Sequence, residues 1–276
     1  RLAGSGITAI AMELVPRITR AQKMDALSAM STVAGYKAVL MAADTLPKFF
    51  PLLTTAAGTV RPAKVLILGA GVAGLQALAT ARRLGAVTAA YDIRPAAREQ
   101  VESVGAQFIE LELDTADSED KGGYAKALAE DKQKRQIELL AKHIAEHDVV
   151  ITTALIPGRP APLLITRQGV EGMKPGSVIV DLAAPNGGNC ELTKAGENIT
   201  HQGVQILGPL NLPSGMPLHA SQMYARTVAA LIMEYLGEDG FALNFDDEIV
   251  QGSVVTRGGE VTNERVLQKL EVGIEK

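Results

Sequence analysis

The sequence predicts a doubly wound α/β chain: a parallel six-stranded sheet with helices on both faces, plus a second, smaller α/β lobe. Three observations lead there. Six short runs rich in Val, Ile and Leu lie between residues 64 and 207, most of them separated by helical or polar segments. Near-continuous apolar runs of this kind are strands buried on both faces, which makes them parallel, with helices as their crossovers. The first run leads directly into a glycine turn, Gly69-Ala-Gly-Val-Ala-Gly74, and then into a helical pattern. Before the sheet lies a long segment of helical periodicity, and after it another helix and a hairpin pattern, which are the material of the second lobe.

The elements follow in order. Ile7 to Val15 reads as a buried strand that Pro16 ends. Thr19 with Gln22 forms a capping-box pattern, and Met24, Leu27, Ala34, Ala38 and Met41 recur at helical spacing, so one helix is expected from about Arg20 to Thr45. Pro and Gly then punctuate 47–62. The six strand runs are Lys64 to Leu68, Val87 to Tyr91, Gln107 to Leu111, Asp148 to Ala154, Ser177 to Leu182 and Val204 to Leu207. His219 to Leu236 reads as a helix returning to the first lobe, and Ala242 to Val261, with Gly258-Gly259, as a hairpin. The domain reading is therefore 1–60 as part of the first lobe with a linking helix, 61–215 as the sheet domain, and 216–276 packing back on the first lobe. A strand so early, with no initiating Met, reads as a first lobe truncated at its N-terminus.

Charge and composition narrow the function. With 27 basic against 31 acidic residues and no run of Lys or Arg, the chain has no electrostatic footprint for nucleic acid. Its one cysteine, Cys190, forms no internal disulfide and reads as an unreactive thiol in an intracellular chain. No apolar stretch is read as approaching the roughly 20 residues of a membrane span, so any membrane role is expected to come through a partner. His143, His147, His201 and His219 show no metal spacing, and no metal is expected.

The glycine turn points to a dinucleotide. Gly69 permits the tight turn, Gly71 lets backbone approach a pyrophosphate, and Gly74 lets the helix pack on the strand, with the anion at the helix N-terminus. The next strand ends at Asp92, close to the spacing at which a carboxylate meets the ribose hydroxyls. That carboxylate repels a 2′-phosphate and favours NAD(H), while neighbouring Arg94 invites one. The pattern is that of a Rossmann domain.

Five segments carry a family resemblance: Arg17-Ile-Thr-Arg-Ala-Gln-Lys-Met-Asp25, Thr54-Thr-Ala-Ala-Gly-Thr59, Gly122-Gly-Tyr-Ala-Lys126, Thr152-Thr-Ala-Leu-Ile-Pro-Gly158 and Asp181-Leu-Ala-Ala-Pro-Asn-Gly-Gly-Asn189. From about Ile7 to Leu236 the chain closely resembles the NAD(H)-binding component of proton-translocating nicotinamide nucleotide transhydrogenases, relatives of alanine dehydrogenase. The resemblance implies a chain that binds NAD(H) and gives hydride from NADH to NADP+ bound by a partner component, while a membrane component moves protons. It also implies a homodimer, held on the cytoplasmic or mitochondrial matrix side by its partners.

By the same resemblance, Arg17, Gln22 and Asp25 hold the nicotinamide end, with Ser28 one turn on. Gly69, Gly71, Val72 and Gly74 form the pyrophosphate turn. Asp92, Ile93 and Arg94 are the adenosine side, Gly123 and Tyr124 belong to a loop that closes over the nucleotide, and Gln136 and Leu155 are further NAD contacts. Two departures stand out: Ser28-Ala29-Met30 where Ser-Ser-Gln is frequent, and Pro185 where Glu or Gln is usual.

Hydride transfer between two nicotinamides moves no proton at the reacting carbons, so such a site needs aim in place of an acid or base. Arg17 is expected to fix the carboxamide, Asp25 to hold Arg17, and Gln22 to reach toward the second nucleotide. Without the resemblance, Gln22 reads equally well as the third residue of a capping box, and Asp25 as an acid in an early helical turn. The acidic, glycine-ended stretch 114–123 before Tyr124 is expected to act as a lid. Two other readings are an alanine-type amino-acid dehydrogenase, which shares Ala154 to Gly158 and Asp181 but not Arg17 to Asp25, and a non-catalytic NAD-binding module.

Overall fold

The computed structural model describes residues 1–112, 130–156 and 159–274. By packing, the chain divides into two units: Ser31–Met216, and Arg1–Met30 with Pro217–Lys276.

The larger unit is built on a seven-stranded sheet. Its strands run in the order Gln107–Phe108, Val87–Tyr91, Lys64–Leu68, Val149–Thr152, Val178–Asp181, Val204–Leu207 and Asn198–His201. The first six are parallel, and numbered along the chain they give 3-2-1-4-5-6, the order of a doubly wound dinucleotide fold. The seventh, Asn198–His201, is antiparallel and joins Val204–Leu207 through Gln202 and Gly203, both at positive φ (47° and 82°). It adds an unforeseen edge strand to the expected six.

Both faces of the sheet are buried, as the apolar runs require. Val65, Ile67, Ala90, Val149, Ile151, Val178 and Val180 point to one side, where they pack with residues of the helices Ala26–Thr45, Val72–Arg83 and Ala97–Ser103. Leu66, Leu68, Ala89, Val150 and Ile179 point to the other, against Leu140 and Ile144 of the helix Glu130–Ala145 and Val170 of Arg167–Glu171. Alternate residues thus feed two separate cores. Ala38, Val39, Ala42, Leu46 and Phe50 belong to the first of them. The segment from Ala38 to Phe50 thus packs with the sheet, and residues 31–60 fall within the larger unit.

The smaller unit has a three-stranded sheet of Ala9–Ile10, Val254–Arg257 and Glu260–Val261, with Gly258 and Gly259 in the tight turn at positive φ. The hairpin read over Ala242 to Val261 is thus confined to 254–261, and the helix Glu248–Ser253 precedes it. Met12, Met24, Leu231, Tyr235, Ile249 and Val254 form the core of this unit.

Three expectations are corrected here. Ile7 to Val15 is not a continuous strand: only Ala9–Ile10 pairs, and Met12–Leu14 turns as a 3-10 helix that buries Met12 in the core. The apolar content of that segment serves a turn, not a pleat. The helix expected from Arg20 starts at Ala26, after a 3-10 turn over Thr19–Met24 in which no side chain caps the N-terminus. The capping pair is Asp25 and Ser28. Lastly, Ala26–Thr45 spans 20 residues and is, by length and composition, apolar enough to cross a membrane, contrary to the sequence reading. Its Ala38, Val39 and Ala42 are fully buried in the sheet core.

Candidate functional site

The three glycines of the turn do three different things. Gly69 has φ +104°, closed to ordinary L residues, and its N–H donates to the Tyr91 carbonyl (2.8 Å). Gly71 is the N-cap of Val72–Arg83 with no capping side chain, and a Cβ built on it meets nothing within 4 Å, so the space beside it is open. At Gly74 a Cβ would lie 1.9 Å from the Gly69 carbonyl oxygen, so the helix sits at this depth only because the residue is glycine. Gly35 makes a similar approach from the helix Ala26–Thr45, where a Cβ would meet the Ala73 carbonyl oxygen at 2.1 Å.

Asp92, 8% exposed, stands at the end of the neighbouring strand. Its Oδ2 accepts from the Ala70 N–H (2.7 Å), and its Oδ1 accepts from the N–H and Nε of Arg94 (both 2.9 Å). The Arg94 Nη2 closes a bidentate pair at 2.8 Å. Arg94 is thus engaged with Asp92 and mostly buried, a different disposition from that of an exposed phosphate-seeking cation. Ile93 is half-buried between them, and Val72 is exposed at the first helical position.

The ends of the next two strands are tied by a buried carboxylate that sequence reasoning places in a motif but gives no structural role. Asp181, fully buried, accepts from the Thr152 hydroxyl (2.8 Å), the Thr193 hydroxyl (2.7 Å) and the N–H groups of Ala183, Asn189 and Cys190. The chain turns back to it through Gly187 and Gly188 at positive φ, and a Cβ on Gly188 would lie 2.8 Å from Asp181 Oδ2. Asn189 in turn grips the Ala154 backbone at both ends: its Oδ1 accepts the Ala154 N–H (3.1 Å), and its Nδ2 donates to the carbonyls of Ala154 (2.9 Å) and Pro162 (2.8 Å). This fixes the loop that carries Leu155, 42% exposed at the same end of the sheet. Pro185 is exposed in the short turn Ala184–Asn186, at a first-turn position where proline costs no hydrogen bond. The signal available in sequence is Asp followed eight residues later by Asn, with a Gly-Gly pair just before the Asn.

In the smaller unit the segment Arg17 to Asp25 and its flanking residues line a cavity of their own. Arg17, Gln22, Asp25 and Ser28 all line a hollow of about 400 Å3, together with Pro16, Ile18, Thr19 and Ala21. Asp25 is the N-cap of Ala26–Thr45: its Oδ1 accepts the Ser28 N–H (2.8 Å), its Oδ2 the Ser28 hydroxyl (2.6 Å), and its carbonyl the first helical bond from Ala29. The same Oδ2 faces the Arg17 Nε at 3.8 Å. Gln22 is exposed. The other two cations of the segment face away on structural duty. Arg20 binds Asp247 bidentately (2.6 and 2.7 Å) and Glu234 at 3.2 Å, and Lys23 reaches Glu234 at 3.0 Å. The cations hold the carboxyls of Glu234 and Asp247 below the ordinary range, the nearest hydrogen-bonded cation being the main cause in each case.

Gln136 lies 4% exposed behind the second strand, where its Nε2 donates to the Tyr91 hydroxyl (2.9 Å); burial pushes that phenol up to about 12. Gly123, Tyr124 and the stretch before them lie outside the described residues, as do Pro157 and Gly158. Burial drives the Cys190 thiol up to about 11, which makes it an inert core residue. His147, held down by burial, contacts the His143 carbonyl, and His201 pairs with Glu171. Among the described residues no group of His, Cys, Asp or Glu is arranged for a metal.

Known proteins resemble the chain over most of its length. The model of the alanine dehydrogenase/PNT C-terminal domain matches residues 38–264, and that of the N-terminal domain matches residues 1–34. The chain is 48% identical to an NAD(P) transhydrogenase alpha-subunit chain of Rhodospirillum rubrum over 260 residues, which cover 93% of this chain and 68% of that one. It spans about half the length of other curated transhydrogenase alpha subunits that it matches. A transhydrogenase crystal structure from Sinorhizobium meliloti superposes with a TM-score of 0.83 at 50% identity, covering 94% of this chain and 70% of that one. An L-alanine dehydrogenase structure superposes at 0.77 with 27% identity, covering 98% and 70%.

Proposed function

The chain belongs to the alanine dehydrogenase/PNT family, and from that premise we propose that it is the NAD(H)-binding component of a proton-translocating transhydrogenase. In this reading it binds NADH at its glycine turn, and Arg17, Gln22, Asp25 and Ser28 are the residues that aim the nicotinamide. Hydride passes to NADP+ held by a partner component, and a membrane component couples the transfer to proton movement. The chain works as a homodimer, kept by its partners at the cytoplasmic or mitochondrial matrix face.

The observation that carries the reading is the cavity in which Arg17, Gln22, Asp25 and Ser28 come together. A non-catalytic NAD-binding module would have no use for that set, and the segment Arg17 to Asp25 is what sets the chain apart from an alanine-type dehydrogenase. The nucleotide fits the residues present: the space at Gly71 is open where a pyrophosphate approaches, and the N-terminus of the helix Val72–Arg83 has no capping side chain. When bound, NADH supplies a hydride from its dihydronicotinamide ring, two electrons and no free proton. Everything else is positioning. Arg17 donates to the carboxamide and sets the face of the ring, and Asp25 steadies Arg17 by charge while capping the helix. Gln22, exposed, reaches the ribose of the nucleotide held by the partner. Asp92 accepts from the adenosine ribose hydroxyls in exchange for part of its contact with Arg94, and the N–H groups that follow Gly71 face the pyrophosphate.

Gln22→Ala tests this. Single-turnover hydride transfer to a NADP-loaded partner should fall on the order of a hundredfold, while NADH affinity changes by less than about threefold. Transfer at the normal rate with saturating nucleotides would remove Gln22 from the mechanism and leave the cavity unexplained.

A further inference from the structure

The Gly69–Ala70 peptide is held from both sides. A trans peptide points its C=O and N–H in opposite directions. Here the Gly69 carbonyl accepts the Thr153 hydroxyl at 2.8 Å, and the Ala70 N–H of the same plane donates to Asp92 Oδ2 at 2.7 Å. Thr153 comes from the end of one neighbouring strand and Asp92 from the end of the other. The carbonyl is also walled in by Gly74, where a Cβ would stand 1.9 Å away. The plane cannot rotate without breaking both bonds. It immediately precedes Gly71, the N-cap of the helix Val72–Arg83, so its orientation sets where the next N–H groups point.

Thr153 is itself fixed. Its N–H donates to the Leu68 carbonyl (2.9 Å), and the following residue, Ala154, is gripped by the Asn189 amide, whose own N–H is bound by buried Asp181. We propose that Thr153 is a positioning residue for pyrophosphate binding: its hydroxyl clamps the Gly69 carbonyl and pre-aims the turn, with Asn189 as its backstop. The proposal rests on the NAD(H) reading above and adds to it a residue that touches no ligand. A backbone held in its binding geometry beforehand loses less freedom when ligand arrives. Removing the clamp therefore weakens binding and leaves the transfer step of the bound complex alone.

The test uses the full-length protein. Thr153→Val, equal in shape but without the hydroxyl, should raise the Kd for NADH roughly five- to tenfold, the worth of one hydrogen bond, with kcat at saturating nucleotide within about twofold. Thr153→Ser, which keeps the hydroxyl, should restore the affinity. A role confined to folding would lower the unfolding midpoint of Thr153→Val without this split between Kd and kcat. Amide hydrogen exchange supplies an arm that needs no variant, since Ala70 should exchange as slowly as the strand amides beside it. Unchanged NADH affinity in Thr153→Val, failure of Thr153→Ser to rescue, or rapid exchange at Ala70 each overturns the proposal alone. A wild-type protein that does not bind NADH overturns the functional reading and this role with it.

Discussion

Asp181 and Asp25 do the same job in opposite surroundings. Each accepts from side-chain hydroxyls and backbone N–H groups and so fixes the end of an element beside a candidate binding surface. Asp181 has no exposure, whereas the Asp25 side chain is 22% exposed and shares an oxygen with Ser28 and, more distantly, Arg17. In the larger unit, aim is built into backbone held by buried bonds. In the smaller one it rests on side chains near water, where charges are screened and alternatives cost little. The difference teaches that the turn proposed to receive a pyrophosphate is set once, on folding, while the residues proposed to aim the nicotinamide keep room to adjust.

That contrast is open to measurement, beginning with the largest effect. Asp181→Ala leaves donors from Thr152, Ala183, Asn189, Cys190 and Thr193 without their acceptor. At about 1–3 kcal/mol for each unsatisfied buried group, incompletely additive, the loss of stability should exceed about 3 kcal/mol by urea unfolding. A loss below about 1 kcal/mol would mean that the network relaxes as easily as a surface one. Asp92→Ser comes next. It removes the charge that would face a 2′-phosphate and releases Arg94, so the proposed preference for NADH over NADPH should narrow by roughly tenfold. Equal affinities for the two nucleotides in the unmodified protein would end that argument. The smallest effect is expected at Asp25→Ala, about 1 kcal/mol, as for a lost helix cap. Its deficit should shrink at about 1 M salt, where charges are screened within a few ångströms, while that of Asp181→Ala should not. Equal salt responses would erase the distinction between the two regions.

The larger unit is more legible in the sequence than the smaller. Strands buried on both faces announce themselves as Val, Ile and Leu runs, and all six parallel strands lie within the runs identified. The seventh escapes because Asn198–His201 is an edge strand with two exposed polar positions, and its Gln202-Gly203 turn lacks the Asn-Gly or Asp-Gly signature. In the smaller unit, short-range patterns compete. Thr19 and Gln22 fit a capping box, yet Asp25 satisfies the helix N-terminus better, with a carboxylate on the third N–H and on a hydroxyl at once. The meeting of Arg17, Gln22, Asp25 and Ser28 in one cavity is legible only through resemblance, since spacing alone leaves Gln22 and Asp25 ambiguous. The grip of Asn189 on Ala154 joins residues 35 positions apart, beyond the reach of any local pattern.

The rims of the large sheet bear on how the protein survives in a crowded solution. One rim is Gln107–Phe108, two residues long, and the other is the antiparallel Asn198–His201, folded back on its neighbour by a tight turn. A stray strand needs a long, regular row of open amide and carbonyl groups to add to. Among the described residues neither rim offers more than four, so a sheet whose interior is among the most apolar parts of the chain is nonetheless a poor seed for fibrils.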